Sequence, residues 1–269
     1  MKKIVSILMV VAMVIALAAC GSNDVAVDYS TSVEGALIVA EAGSAGEELA
    51  TGDEFFANAE FTPVDSMAKA LMEVKAGTAD IAIVDYVTSI GSIGEGTDYE
   101  DLKVVEGKDF NPEEYGIAFR KGSDLVTAVN AAIKELMADG TMDKIGATYK
   151  LDQLLIKDGA DNETEIKSGD LEYVKNKGEL IVGITYFAPM NYEEDGELIG
   201  FETEFAKAVC EKLGVKAKFV EINWDAKEIE LNAKNIDCIW NGMTITDERK
   251  TNMSISVPYM QNKQVMVSK

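Results

Sequence analysis

The sequence predicts an α/β protein built as two lobes, and three observations carry that reading. Short apolar runs such as residues 37–40 and 81–84 alternate with segments whose apolar residues recur at helical spacing, the pattern of strands layered against helices. A polar, glycine-containing stretch at 157–172 separates two such series and reads as a linker. The 269 residues provide for two units of ordinary domain size, each large enough for its own core.

The elements follow in order. Lys2 and Lys3 form a basic start, residues 4–19 are almost wholly apolar, and Leu17, Ala18 and Ala19 precede Cys20, the small-residue pattern of a secretory signal. A retained membrane anchor is the alternative, although the apolar run is short for a span. Residues 21–32 read as a tether. The run at 37–40 is a buried strand, followed by the glycine-containing turn at 43–46 and a helix start. After Pro63, Val64 and Asp65, the residues Met67, Ala70, Leu71 and Val74 repeat at helical spacing until Gly77 stops them, and the strand at 81–84 ends at Asp85. Leu125, Val129, Ala132, Ile133 and Leu136 mark another amphipathic helix, with a shorter one reaching Tyr149. Phe205, Ala208, Val209 and Leu213 are the buried stripe of a helix ended by Gly214, with a strand at 218–222 after it. Ile236, Cys238 and Trp240 alternate with Asp237 and Ile239 as a short strand would.

Composition narrows the function. Against 25 basic residues stand 47 acidic ones, a net charge of −22, which argues against nucleic acid or an anionic membrane surface as a binding target. The same excess does not identify a cationic ligand, because scattered acidic residues also make a soluble, self-repelling surface. The chain has no histidine, and no CxxC or HExxH pattern replaces it, so neither a metal nor a cofactor is expected. Cys210 and Cys238 lie in an apolar helix face and a strand, where cysteine is usually a small buried hydrophobe; export also permits a disulfide between them.

Residues 237–259 are the most informative stretch. Gly242 lets the backbone approach a ligand without a Cβ in the way, and Thr246 is placed to cap a helix whose first turn holds Asp247, Glu248 and Arg249. Backbone N–H groups, the Thr244 hydroxyl and the Arg249 guanidinium fork are the donors that pair with a carboxylate. Read in isolation, the same residues also describe a capped surface helix with a solvated arginine.

This run closely resembles the G-(I/M)-T-I-T-x-E-R segment of extracellular solute-binding proteins, family 3, the amino-acid receptors of ABC importers. In the same half, residues 178–190 resemble the family's opening strand, 200–209 its first helix, and Trp224 with Asp225 its ligand-flanking aromatic turn. In the other half, residues 42–48, 77–85 and 115–124 resemble its second lobe. The resemblance implies a two-lobed, periplasmic-binding-protein-like type II fold. It divides the chain into a lipoprotein signal (1–19), a tether (20–32), a lobe carrying the Gly-Ser and Asp85 motifs (33–117), helices packing on the other lobe (118–156), a linker (157–172), and the lobe carrying the Gly-Met-Thr-Ile-Thr and Arg249 motifs (173–269).

The order of these pieces is not the family's. The Gly-Ser half comes first and the opening strand only near residue 180, so the chain reads as a circular permutant whose linker joins the usual C-terminus to the usual N-terminus. A piece of a tandem array, with halves pairing between neighbouring chains, is the alternative. The cut is expected where residues 264–267 cross between lobes, leaving the segment around Tyr115 and Arg120 as the single covalent crossing.

By the resemblance, Gly242, Thr244 and Arg249 present one wall of an interlobe cleft, and Ser44 and Ala45 offer a hydroxyl and N–H groups from the other. Asp85 would pair with the ligand's ammonium, or else cap the helix after it. Tyr186, Phe187 and Trp224 are the candidate side-chain pocket, each equally placed to be core. Thr185 stands where many family members carry an acid; Glu41 is a candidate to compensate by facing the pocket, or else is exposed to solvent, and Asn191 and Asn241 are further polar candidates. The ligand is thus expected to be a polar or cationic α-amino acid. The implied protein is an extracytoplasmic monomer that delivers its ligand to an ABC permease, does no catalysis, and is held to the membrane by lipid on Cys20. A ligand-sensing module of a membrane signalling system and a dehydratase-like enzyme on the same scaffold are the other readings.

Overall fold

The computed structural model describes residues 27–162 and 164–269. The signal, Cys20 and most of the tether lie outside the described residues.

The first lobe begins with β1 (Leu37–Glu41), α1 (Ala45–Gly52), β2 (Glu60–Val64), α2 (Met67–Ala76), β3 (Ile81–Asp85), α3 (Tyr86–Ser92), β4 (Lys103–Val104) and β5 (Pro112–Tyr115). The chain then enters the second lobe through β6 (Ala118–Arg120), α4 (Leu125–Ala138), α5 (Thr141–Thr148), α6 (Asp170–Lys177) and β7 (Glu179–Ile184). A small hairpin of β8 (Tyr192–Glu194) and β9 (Glu197–Ile199) follows. The lobe is completed by α7 (Phe201–Leu213), β10 (Lys216–Glu221), α8 (Lys227–Asn232), β11 (Cys238–Ile239), α9 (Asp247–Asn252) and β12 (Met253–Ile255), and the last strand is β13 (Met260–Ser268).

Two sheets organise these elements. One runs β2-β1-β3-β13-β4 with β5 paired beside β13, the other β10-β7-β11-β6-β12. In the first, β1 is parallel to β2 and β3, whereas β13 is antiparallel to β3, β4 and β5. Strands of this kind, buried on both faces, need near-continuous apolar sequence, and 81–84 meets that need with Ile, Ala, Ile and Val all buried. Alternate residues feed opposite faces: Ile81, Ile83 and Met266 pack with Ile38 and Phe56, while Ala82, Val84 and Val267 join Val39, Met67 and Leu71 under α2. In the second lobe, Phe201, Phe205, Trp240 and Tyr259 form an aromatic core, with Phe205 edge-on to Trp240 at 5.1 Å.

β13 corrects the expected division of the chain. Residues 260–268 do not belong with 173–269 in the second lobe but complete the first, with Gln264 opposite Asp85 and Val265 opposite Val84. The crossings move accordingly. The chain passes between lobes once at Gly116 and Ile117 and again between Ser256 and Tyr259, and the two passages are bonded to each other by Ile117 N–H to Ser256 Oγ (2.9 Å), Ser256 N–H to Ile117 O (2.9 Å) and Tyr259 N–H to Tyr115 O (3.0 Å). Both crossings are covalent, because residues 264–267 sit inside the first lobe's sheet rather than at the passage. Residues 118–156 likewise supply more than packing helices, since β6 lies between β11 and β12.

The linker is packed rather than free. Asn162 Nδ2 donates to Ser256 O at 2.7 Å, Asp161 accepts from Asn130 Nδ2 at 2.8 Å, and Gly159 lies so close to Pro258 that a Cβ there would stand 2.5 Å from its carbonyl oxygen. Its last residues, from Asp170, already belong to α6, where the Asp170 carboxylate takes the Arg120 Nε–H at 3.1 Å. Cys210 and Cys238 are buried and free, as small apolar residues.

Candidate functional site

Both lobes aim strand ends and helix starts at the space between them. On the first lobe's wall, β1 ends at Glu41, the chain turns through Gly43, and Ser44 caps α1 by accepting Glu47 N–H at 3.2 Å. Ala45 is the first residue of that helix. The Ser44 hydroxyl is therefore partly spent on its own helix. On the facing wall Thr246 caps α9 by accepting Arg249 N–H at 3.1 Å, as expected from its place in the sequence.

Arg249 is buried, with Nη1–H donating to Thr244 O at 2.8 Å and Nη2–H to Glu48 Oε1 at 2.9 Å and Gly43 O at 3.4 Å. Glu48 and Gly43 belong to the other lobe, so the guanidinium bridges the walls and is met there by the protein's own carboxylate. Gly43 comes closest: it sits at φ +70°, and a Cβ on it would lie 2.9 Å from Asp225 Cα. Gly43→Ala should therefore hold the lobes apart at this turn and weaken ligand binding by roughly 1–3 kcal/mol, the cost of a strained positive φ and a backbone clash. Isothermal titration checks it, and undiminished affinity would remove this contact from closure.

Asp85 ends β3 and is buried. Its carboxylate does not cap α3. It accepts instead from Tyr115 Oη at 2.7 Å, Asn262 Nδ2 at 3.0 Å and Gln264 Nε2, and both amides also donate to Glu113 Oε2, at 2.9 and 3.0 Å. Two carboxylates thus share two amides, while Thr244 Oγ1 donates to the same Glu113 oxygen at 3.0 Å. Burial first, and the Glu113 charge second, push Asp85 up to about 7. Asn262, Gln264 and Glu113 open onto a cleft of about 1510 Å³ that Ala45, Glu48, Tyr86, Thr244 and the linker also line.

The aromatic candidates divide. Trp224 is buried under the Lys227 ammonium, which lies 4.9 Å from its ring centre. Phe187 is buried against Gly242: a Cβ on that glycine would stand 2.9 Å from Phe187 Cζ and 3.3 Å from Tyr115 Cζ. The space that glycine leaves is therefore filled by aromatic rings of the protein. Tyr186 points outward, its hydroxyl 3.4 Å from Glu193 Oε1, and is not brought to Trp224. Asn241 and Asn191 are spent inside the second lobe. Asn241 accepts from Thr185 N–H and Oγ1–H, at 2.9 and 2.6 Å, and donates to Asn191 Oδ1 at 2.9 Å, while Asn191 donates to Thr203 Oγ1 at 3.0 Å. They hold the end of β7 beside the loop after β11 rather than face a ligand.

Glu41 is buried with Oε1 meeting no donor among the described residues, and burial, then Asp85, push it up to about 8. Two neighbours escaped the sequence reading. Lys227, the first residue of α8, is buried and reaches across to Gly43 O at 2.8 Å and back to Trp224 O at 3.2 Å. Glu202 accepts Gly242 N–H at 2.8 Å and the Tyr259 hydroxyl, anchoring the Gly242 loop, and burial pushes it up to about 7. Helical spacing signalled neither, since both sit among exposed-looking charged residues near helix starts; only the packing of the other lobe and the hinge buries them.

These raised acids predict a pH dependence. Glu41, Asp85 and Glu202 keep protons in the folded state that the unfolded chain has lost above about pH 5, so the ligand-free protein loses stability as pH rises from about 5 toward 8. Lys227, lowered to about 8 by burial and Arg249, acts oppositely only above that range. Melting temperatures should accordingly be lower at pH 7.5 than at pH 5.5. A melting temperature that rises over that interval would refute the burial of these acids.

The fold and the cleft define a two-lobed α/β protein whose facing walls carry a buried arginine fork and a buried carboxylate. A model of the bacterial extracellular solute-binding proteins, family 3, matches residues 180–269. Over 93 residues the chain is 41% identical to the L-cystine-binding protein TcyJ of Escherichia coli (strain K12), covering 34% of this chain and 35% of that protein. It is 32% identical over 94 residues to the arginine-binding extracellular protein ArtP of Bacillus subtilis (strain 168), covering 35% and 37%. Among solved structures, an arginine-bound form of domain 1 from TmArgBP is 35% identical, with 37% of this chain and 84% of that one covered and a TM-score of 0.33. The chain spans about a third of the length of the curated relatives it matches.

Proposed function

We propose that this protein is an extracytoplasmic receptor that captures an α-amino acid between its lobes and hands it to an ABC importer. The observation that carries the reading is that Arg249 of the second lobe and Asp85 of the first are both buried and each is bonded to side chains that line the cleft, Glu48 for Arg249 and Asn262 and Gln264 for Asp85. A guanidinium fork suits a carboxylate, and a buried acid with amide neighbours suits an ammonium; together they describe the two ends of an α-amino acid. Ligand entry parts the walls, the carboxylate displaces Glu48 from Arg249, and closure re-forms the contacts around it. The order of the family-like pieces and the packed linker support a circular permutant. The Leu17 to Cys20 pattern supports lipid attachment at Cys20, and mass spectrometry of the secreted N-terminus checks it: Cys20→Ser should abolish the modification, and an unmodified native chain would rule out the anchor.

A thermal-shift panel of α-amino acids against their decarboxylated amines tests the binding reading. An amino acid at about 100 times its Kd should stabilise by about 2.7 kcal/mol, and its amine should not. Equal stabilisation by the amine would show that Arg249 takes no carboxylate.

A further inference from the structure

Beyond Arg249 and Asp85, one buried acceptor and one buried donor remain unspent close to the Gly43 turn. Glu41, 2% exposed at the end of β1, has an Oε1 with no donor among the described residues. Lys227, 6% exposed at the start of α8, uses two of its three N–H donors on Gly43 O and Trp224 O. The Lys227 charge is felt at Glu41, yet no ion pair joins them among the described residues. The indole of Trp224 floors the ammonium. A buried acid from one lobe and a buried base from the other, with no ion pair between them among the described residues, each keep an atom free for a partner group, since a buried polar atom without one is costly.

We propose that Glu41 and Lys227 are the specificity-determining pair of this cleft, selecting an α-amino acid whose side chain ends in a group of zero net charge that both donates and accepts. A carboxamide meets that description, as does a second ammonium and carboxylate head. The inference rests on reading the cleft as an amino-acid site and deepens it. A purely cationic side chain would satisfy Glu41 but would lie beside Lys227 and Arg249, which are already close enough for the arginine to depress the lysine's proton affinity. A purely anionic one would pair with Lys227 but would lie against Glu41 and Asp85, each of which must then keep its proton. A group with both functions leaves neither wall unpaired, and sites built to hydrogen-bond a ligand reject analogues that cannot.

The test is isothermal titration of the full mature chain with L-glutamine, L-cystine, L-arginine, L-glutamate and L-alanine, repeated on Lys227→Met and Glu41→Gln. In the native protein, L-glutamine or L-cystine should bind roughly 100-fold more tightly than L-arginine or L-glutamate. Lys227→Met, which leaves Glu41 as an unopposed acid, should gain L-arginine affinity by about tenfold or more while losing affinity for the preferred ligand. Glu41→Gln should shift preference toward L-glutamate. Such gains cannot arise from misfolding. Tightest native binding of L-arginine, or loss of every ligand in both variants with a gain in neither, overturns the assignment while the L-alanine titration still reports on the clamp. Binding of none of the five by the native chain removes the amino-acid reading, and this inference falls with it.

Discussion

Deleting residues 264–269 is expected to unfold the first lobe. Val265, Met266 and Val267 are buried, they pair with Val84, Ile83 and Ala82 in the middle of the sheet, and Val267 also holds β4. Burying three such side chains contributes roughly 1.5–3 kcal/mol each, a total comparable to the roughly 5–15 kcal/mol that holds a whole domain together. Without them β3 becomes an apolar edge strand, a surface prone to pair with other chains. Circular dichroism and urea unfolding of the truncated chain check this. A truncated protein that keeps a cooperative transition for both lobes, at a cost under about 2 kcal/mol, would show that β13 does not complete this sheet.

Asp85→Asn should move binding and stability in opposite directions. Loss of the carboxylate removes the ammonium's partner, and leaving one half of a buried charge pair typically costs about 3–5 kcal/mol, so ligand affinity should fall by more than 100-fold. Stability of the ligand-free protein should rise, because the native acid is buried beside Glu113 and held at about 7. An asparagine amide can donate to Glu113, where the native acid repels it. Arg249→Lys keeps the charge but loses the fork, and should weaken binding by roughly 1.5–3 kcal/mol. Calorimetry and melting curves separate the two effects. An Asp85→Asn protein that binds normally, or melts lower without ligand, would refute the role of Asp85 or its strain beside Glu113.

Much of this site was legible because its chemistry is local. The Thr246 cap, the Arg249 turn and the glycine before them lie within eight residues, and each rests on backbone geometry that nearby sequence dictates. Asp85 was legible because it ends a wholly apolar strand. What the amino-acid pattern did not disclose were the partners that come from far along the chain. Glu113, Asn262 and Gln264 reach Asp85 only because β13 and β5 run together, and Glu202 reaches Gly242 from a helix 40 residues earlier. Among the aromatic candidates, Phe187 is buried and its neighbour Tyr186 is not, a choice made by which face of the β7 end packs inward.

The amino-acid sequence by itself determined the α/β class, the alternation of strands and helices, the family-like motifs of residues 180–269, the cap at Thr246, and the charge balance that argues against nucleic acid. These depend on periodicity and on residues within a turn or two of one another. Only the tertiary structure decided which lobe owns residues 260–268, where the covalent crossings run, and that Arg249 and Lys227 reach across to Gly43 and Glu48. Strand order and interlobe contact are set by pairings between segments about 150–200 residues apart, where many registers satisfy the same local pattern and packing of the whole chain selects one.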